Sequence, residues 1–248
     1  EDGKWVSYSQ RQCLWLALQE CGYRFLLIYD PVDGVSVYPD TAREEAVRDF
    51  SLTLNGDGFM PADLDTLAGL MRQVAFCSQG RTALLVDFAS RLVGNAQQMG
   101  EAQRQFFVAC EKLATAANPL GPQGGPRLFN PIIWMTHRRQ DLPPWFSLDS
   151  QRIAVLSLPV PDNDTRLNLA LTLGRSFVGY DARNDIIRKK CTEMFAGLTD
   201  AMRLQDMADI ATLARRNQTP YEDVDDAVRL YKVGRTDNPW KQAGLREK

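Results

Sequence analysis

The sequence is poor in the residues that most hydrolases and metal sites depend on. It has a single histidine, His137, in 248 residues. One imidazole gives a zinc site little to work with, and no G-x-S-x-G accompanies it, which excludes most Ser-His-Asp layouts. The cysteines are Cys13, Cys21, Cys77, Cys110 and Cys191, five in all, scattered and without a Cys-x-x-Cys. That pattern excludes a disulfide framework and fits a reducing, cytoplasmic compartment. No apolar run reaches the ~18 residues of a membrane span, and no signal-peptide pattern opens the chain. The net charge is only −2, so no global field draws in nucleic acid or an acidic membrane. Local basic runs at His137-Arg138-Arg139 and Arg188-Lys189-Lys190 read as solvated faces. No G-x-x-x-x-G-K-[ST] occurs, and the Gly-x-Gly at 56–58 lacks the third glycine of a dinucleotide fingerprint. The first residue is not Met and the last stretch is a charged tail, which reads as a piece of a longer chain.

What remains is an ordinary globular mix, 44% hydrophobic and 24% charged, long enough for a core and a small satellite. Residues 10–21 read as an amphipathic helix and 24–29 as a short apolar strand. Asp30-Pro31-Val32-Asp33-Gly34 is a turn signal, and 35–38 reads as a second strand after it. Thr41 is placed to cap a helix over 42–52, with Glu44 and Glu45 in its first turn. Pro61 opens a helix reaching about Cys77. Residues 82–87, 131–136 and 152–158 read as further buried strands, with a helix over 98–117 between the first two. Strands alternating with helices predict a mainly parallel sheet with helices on both faces. After Asp164 only helices follow, at about 164–176, 181–196, 200–215 and 220–232. The predicted division is an α/β core over 1–176, a helical subdomain over 177–232 and a linker over 233–248.

The order of these elements and four stretches within them resemble the AAA+ ATPase family. Thr82-Ala83-Leu84-Leu85-Val86-Asp87 resembles the Walker B strand. Pro131-Ile132-Ile133-Trp134-Met135-Thr136, continued by His137-Arg138-Arg139-Gln140-Asp141-Leu142-Pro143, is similar to the sensor-1 strand and its turn. The stretch 152–162, with Arg166 one turn into the next helix, resembles the strand that closes the core and leads to the lid. Gly197-Leu198-Thr199-Asp200-Ala201-Met202 is similar to the start of a lid helix. The tail through Trp240 resembles the linker that leaves a first AAA+ module and leads into a second. The resemblance implies an AAA+ sheet core followed by a small helical lid.

It also implies what is missing. Amides of a glycine-rich loop and a lysine hold phosphates. The loop over 30–40, taken as the counterpart, has one Gly, no Lys, two Pro and three acids. Asp87 and Thr136 then stand as vestigial nucleotide-site residues. Phe88 occupies the place of the carboxylate that would polarise water, and a phenyl ring is no base. No catalytic residue, metal or cofactor is expected in this segment; ATP and Mg²⁺ are expected in an adjoining module. Arg152, Arg166 and Trp240 are the candidate interface residues. Phe59 and Met60, on the Gly-flanked loop at 55–60, are the candidate substrate-contacting pair. The implied partners are further copies in a ring, a hexamer by resemblance, together with an adjoining AAA+ module and a protein substrate; no membrane or nucleic-acid partner is implied. The function so read is a non-catalytic module that scaffolds a ring and presents substrate to a motor. The alternatives are an atypical nucleotide hydrolase and a stand-alone interaction domain.

Overall fold

A computed structural model describes residues 8–94, 98–120, 127–147 and 152–234. They form two compact units, one over Tyr8–Leu156 and one from Ser157 onward.

The first unit is a sheet covered by helices on both faces. Helix α1, Gln10–Glu20, starts at a capping box in which the Ser9 hydroxyl accepts from the Gln12 amide and the Gln12 side chain answers to Ser9. Strands β1, Leu26–Asp30, and β2, Gly34–Tyr38, make an antiparallel hairpin. The Asp30 carboxylate accepts from the amides of Val32 and Asp33, closing the turn. Helix α2, Arg43–Phe50, and helix α3, Leu64–Ala75, follow. Strand β3, Ala83–Val86, helix α4, Glu101–Ala116, strand β4, Ile132–Trp134, and the short helix α5, Pro144–Ser147, complete the unit. The sheet order is β2-β1-β3-β4, with β1, β3 and β4 parallel. The expected AAA-like sheet flanked by helices is therefore present.

Register explains why the strands read as apolar runs. Leu26 lies beside Ala83 and Leu27 beside Leu84, and so on to Tyr29 beside Val86. Leu27, Tyr29, Leu84 and Val86 face a core built with Phe50, Leu67, Met71, Phe106, Phe107 and Phe146. Leu26, Ile28, Ala83 and Leu85 face the other side, where Trp15 and Leu18 of α1 pack. Both faces are buried, so the alternation of a half-exposed strand is absent. Phe107 stacks on Trp134 at 5.8 Å, and Phe146 meets both edge-on. Asn130 locks the layers from inside: its amide nitrogen donates to the Val74 and Cys77 carbonyls, and its oxygen accepts from the Thr82 amide.

Three readings are corrected. The strand expected over 152–158 does not form: no ladder reaches it among the described residues, and Leu156 and Leu158 are 87% and 84% exposed. The apolar pattern of that stretch carries β-propensity, but propensity does not supply a neighbouring edge. Thr41 does not cap α2; a 3-10 turn over Asp40–Ala42 runs into the helix without a side-chain cap. Helix α3 begins at Leu64 rather than Pro61, because Asp63 takes the capping role, accepting from the Thr66 amide and hydroxyl.

The second unit is all helical: α6, Asn163–Leu173; α7, Asp185–Leu198; α8, Leu204–Arg216; α9, Val224–Val233. Leu169, Phe177, Phe195, Met207, Ile210 and Val228 share its core. Helix α6 packs with the later helices, so the division falls before it, at Leu156 and Ser157, and not at residue 176.

Candidate functional site

In open α/β sheets, ligands gather beyond the carboxyl ends of the parallel strands. Here that edge is formed by the residues after β1, β3 and β4. Asp87 follows β3 directly, and its amide donates to the Tyr29 carbonyl at 2.9 Å, which extends the ladder by one rung. Its side chain is already engaged. Oδ2 accepts from Arg11 Nη2 at 2.8 Å and Nε at 3.1 Å. Oδ1 accepts from the Phe88 amide at 2.9 Å. Arg11 stands in the first turn of α1, whose amino end therefore faces the carboxyl end of β3.

Phe88 is unusual in two ways. Its backbone is left-handed, with φ 49° and ψ 32°, a conformation that a bulky side chain disfavours. The residue is also 47% exposed. Immediately after it, Ala89–Arg91 forms a 3-10 turn that is stitched to the loop after β4. The Ala89 amide donates to the Met135 carbonyl at 3.0 Å. The Ser90 hydroxyl accepts from the His137 amide at 2.8 Å and donates to Asp141 at 2.7 Å. Asp141 also accepts from the Arg138 amide. These bonds, the Ser90 hydroxyl foremost, and the nearby Arg138 and His137 hold its carboxyl below the ordinary range.

The serine, the histidine and an aspartate thus meet, but not as a nucleophile relay. The Ser90 proton is directed to Asp141, and His137 Nδ1 lies 3.4 Å from the hydroxyl. A base must take the nucleophile's proton and be oriented by the acid in turn. Here the acid is bonded to the serine itself.

The residues singled out in the sequence scatter. Thr136 is exposed just beyond β4. The loop over 30–40, expected as the phosphate-loop counterpart, is the β1–β2 hairpin and leads into a strand, not into a helix amino terminus. Phe59 and Met60 are half-buried rather than displayed on a tip. Met60 exchanges both backbone bonds with Val35 at 2.8 Å, and Asn55 closes the loop by accepting from the Asp57 and Phe59 amides. Arg152 is exposed, with its guanidinium 5.7 Å from the centre of the Phe129 ring. Arg166 is 7% exposed and fully used inside the helical unit. It donates to the Ala196 and Pro161 carbonyls at 3.1 and 2.7 Å and pairs with Asp200 at 2.9 Å. Trp240 lies outside the described residues.

Sequence reasoning missed Arg11, Ser90 and Asp141. It also took the loop over 30–40 as the phosphate-loop counterpart, and that loop is a hairpin. The helix whose amino end meets Asp87 is α1, preceded in sequence by Glu1-Asp2-Gly3-Lys4-Trp5-Val6-Ser7, which lies outside the described residues.

The family model for the AAA+ chaperone N-terminal Rossmann-like domain matches residues 2–159. The chain belongs to that family. The matched span covers the α/β unit and ends just past Leu156, where the contacts divide. Among solved structures, the chain is similar to the crystal structure of the FIGL-1 AAA domain in complex with ADP. The identity is 16% and the TM-score 0.43, over 88% of this chain and 75% of that one. A search of curated proteins finds no match. No helix among the described residues is long and apolar enough to cross a membrane.

Proposed function

We propose that this chain is a non-catalytic AAA+ chaperone module, which contributes binding surface and geometry to a ring while an adjoining module supplies ATP-driven work. The observation that carries this reading is the state of Asp87. Both of its oxygens are occupied, one by Arg11 and one by the Phe88 amide. A magnesium ion at that carboxylate has to compete with a guanidinium, and the next residue is a phenyl ring instead of a base. The residues present therefore do not fit a Mg²⁺–nucleotide at Asp87, and no hydrolytic step is assigned to them. The family supplies the context of assembly and of protein substrates.

Sedimentation velocity of the chain, with and without Mg²⁺ and ATP, tests the scaffold. The expected result is the same association in both. Association that appears only with Mg²⁺ and ATP contradicts it.

A second reading has its own observation. Because α1 presents its amino end to Asp87, a phosphate group would meet that helix end, and in the sequence the Gly3-Lys4 pair precedes it. Helix amino ends attract phosphate. Mg-dependent ATP binding that is lost in Lys4→Ala supports this alternative.

A further inference from the structure

The two basic runs of the sequence have different fates. In the run at 188–190, Arg188 pairs with Asp185 at 2.7 Å and Lys189 with Glu193 at 3.8 Å, both along helix α7. Its charge is largely answered by its own helix. The run at 137–139 makes no ion pair among the described residues, although Asp141 lies close enough to feel Arg138 and His137. His137, Arg138 and Arg139 are exposed, and so is Arg91 on the adjoining turn. The bonds from Ala89 to Met135 and from Ser90 to His137 and Asp141 bring the two loops together at the carboxyl edge of the sheet. The acids nearby are committed: Asp87 to Arg11, Asp141 to the Ser90 hydroxyl and the Arg138 amide. Three guanidiniums and an imidazole thus share one loop cluster with the carboxylates of Asp87 and Asp141. Phe88, exposed and left-handed, stands one residue from the same turn.

We infer that this loop cluster is a docking surface for an acidic polypeptide segment, with Arg91, Arg138 and Arg139 meeting its carboxylates and Phe88 its apolar side chain. Guanidinium forks match carboxylates geometrically and keep their charge at any physiological pH. Left-handed backbone at a bulky residue costs stability, and such outliers persist where the side chain has a task. An exposed aromatic residue on the same loop cluster as the cations combines an apolar anchor with electrostatic steering. A single-stranded nucleic acid shares the negative charge, but sites for it stack successive bases on several aromatics. Here one ring is offered, on a chain of net charge −2, which favours a short acidic peptide over a long polyanion. The surface stands on these loops alone and does not depend on the scaffold reading.

The test is fluorescence anisotropy of the whole chain with a short labelled peptide rich in Glu and carrying interspersed Leu. Binding is expected at low salt, weakening about tenfold between ~50 and ~200 mM salt as screening shortens the reach of the charges. The Arg138→Gln/Arg139→Gln variant is expected to bind about tenfold more weakly, while Lys189→Gln/Lys190→Gln binds as wild type. Phe88→Gly gives a readout that a merely structural residue cannot: it should raise the melting temperature by relieving the left-handed strain and still weaken peptide binding several-fold. The inference is overturned by absence of binding at low salt or by unchanged affinity in the arginine variant. A single-stranded oligonucleotide that binds more tightly than the peptide also overturns it.

Discussion

Arg11 and Asp87 are 76 residues apart in sequence and joined by two hydrogen bonds to one carboxylate oxygen, at 2.8 and 3.1 Å. The pair ties the first turn of α1 to the carboxyl end of β3. The Asp87 side chain is 16% exposed and that of Arg11 41%, so the contact is partly screened. Its meaning is chemical more than energetic. A carboxylate that the sequence marks as a vestigial nucleotide-site residue already has a permanent cation beside it.

Arg166 is a structural hub of the helical unit, and its replacement shows in stability. Arg166→Ala leaves the Ala196 and Pro161 carbonyls short of their donor, at a cost of about 2–4 kcal/mol. Arg166→Lys does not rescue it, because one ammonium cannot reproduce the fork. Asp200→Asn costs about 0.5 kcal/mol or less, since Asp200 is 76% exposed. Denaturant unfolding of the three variants checks the order.

Gly34 carries the loop at 55–60. At φ +86°, a Cβ there would lie 2.1 Å from the Met60 carbonyl oxygen. Gly34→Ala should destabilise by about 2 kcal/mol or more, through both the left-handed backbone and the broken bridge to Met60. Gly56→Ala meets nothing within 4 Å and should change stability by less than about 1 kcal/mol. Thermal unfolding of the pair distinguishes a structured loop from a free one.

Acid should unfold the chain in a defined window. Asp63 and Asp162 are helix caps held below the ordinary carboxyl value of 3.8, each chiefly by a threonine hydroxyl. Asp206 is lowered first by its bond to Arg203, and Asp141 first by Ser90. A folded pKa below the unfolded one contributes stability above the unfolded value, and that stability is lost as pH falls through the folded value. Melting temperature should therefore hold steady from neutrality to about pH 5 and fall below about pH 4. Asp63→Asn/Asp162→Asn should flatten that fall.

The thiols should divide by burial. Cys110 is pushed up to about 12 and Cys191 to about 11, both by desolvation, so neither offers thiolate at neutral pH. Cys13 and Cys21 are exposed on or beside α1. Timed alkylation with mass spectrometry should modify Cys13 and Cys21 promptly, and Cys110 and Cys191 only on unfolding.

Much of this fold was legible because buried parallel strands announce themselves. Leu26 to Tyr29 and Ala83 to Val86 are apolar on both faces, and the helical unit shows its 3.6-residue period. What failed was pairing. The apolar residues from Val155 to Leu158 resemble a strand in every local respect, yet only an adjacent edge makes one. The hairpin at Asp30 to Gly34 had its turn signal, and the expectation of a phosphate loop overrode it. Asp87 was found by its place after an apolar strand. Arg11 was not, since an arginine in a helical first turn looks solvated until the fold brings it to Asp87. Arg166 was noticed for its position, but sequence did not reveal that three partners already hold it.

The most direct test is calorimetric titration of Mg²⁺ and ATP into the chain, beside Asp87→Asn. With Asp87 committed to Arg11, neither protein should show Mg-dependent binding with a Kd below about 1 mM. A micromolar, Mg-dependent affinity in the wild type that disappears in Asp87→Asn would mean that Asp87 leaves Arg11 to hold a metal, and the non-catalytic account would be wrong.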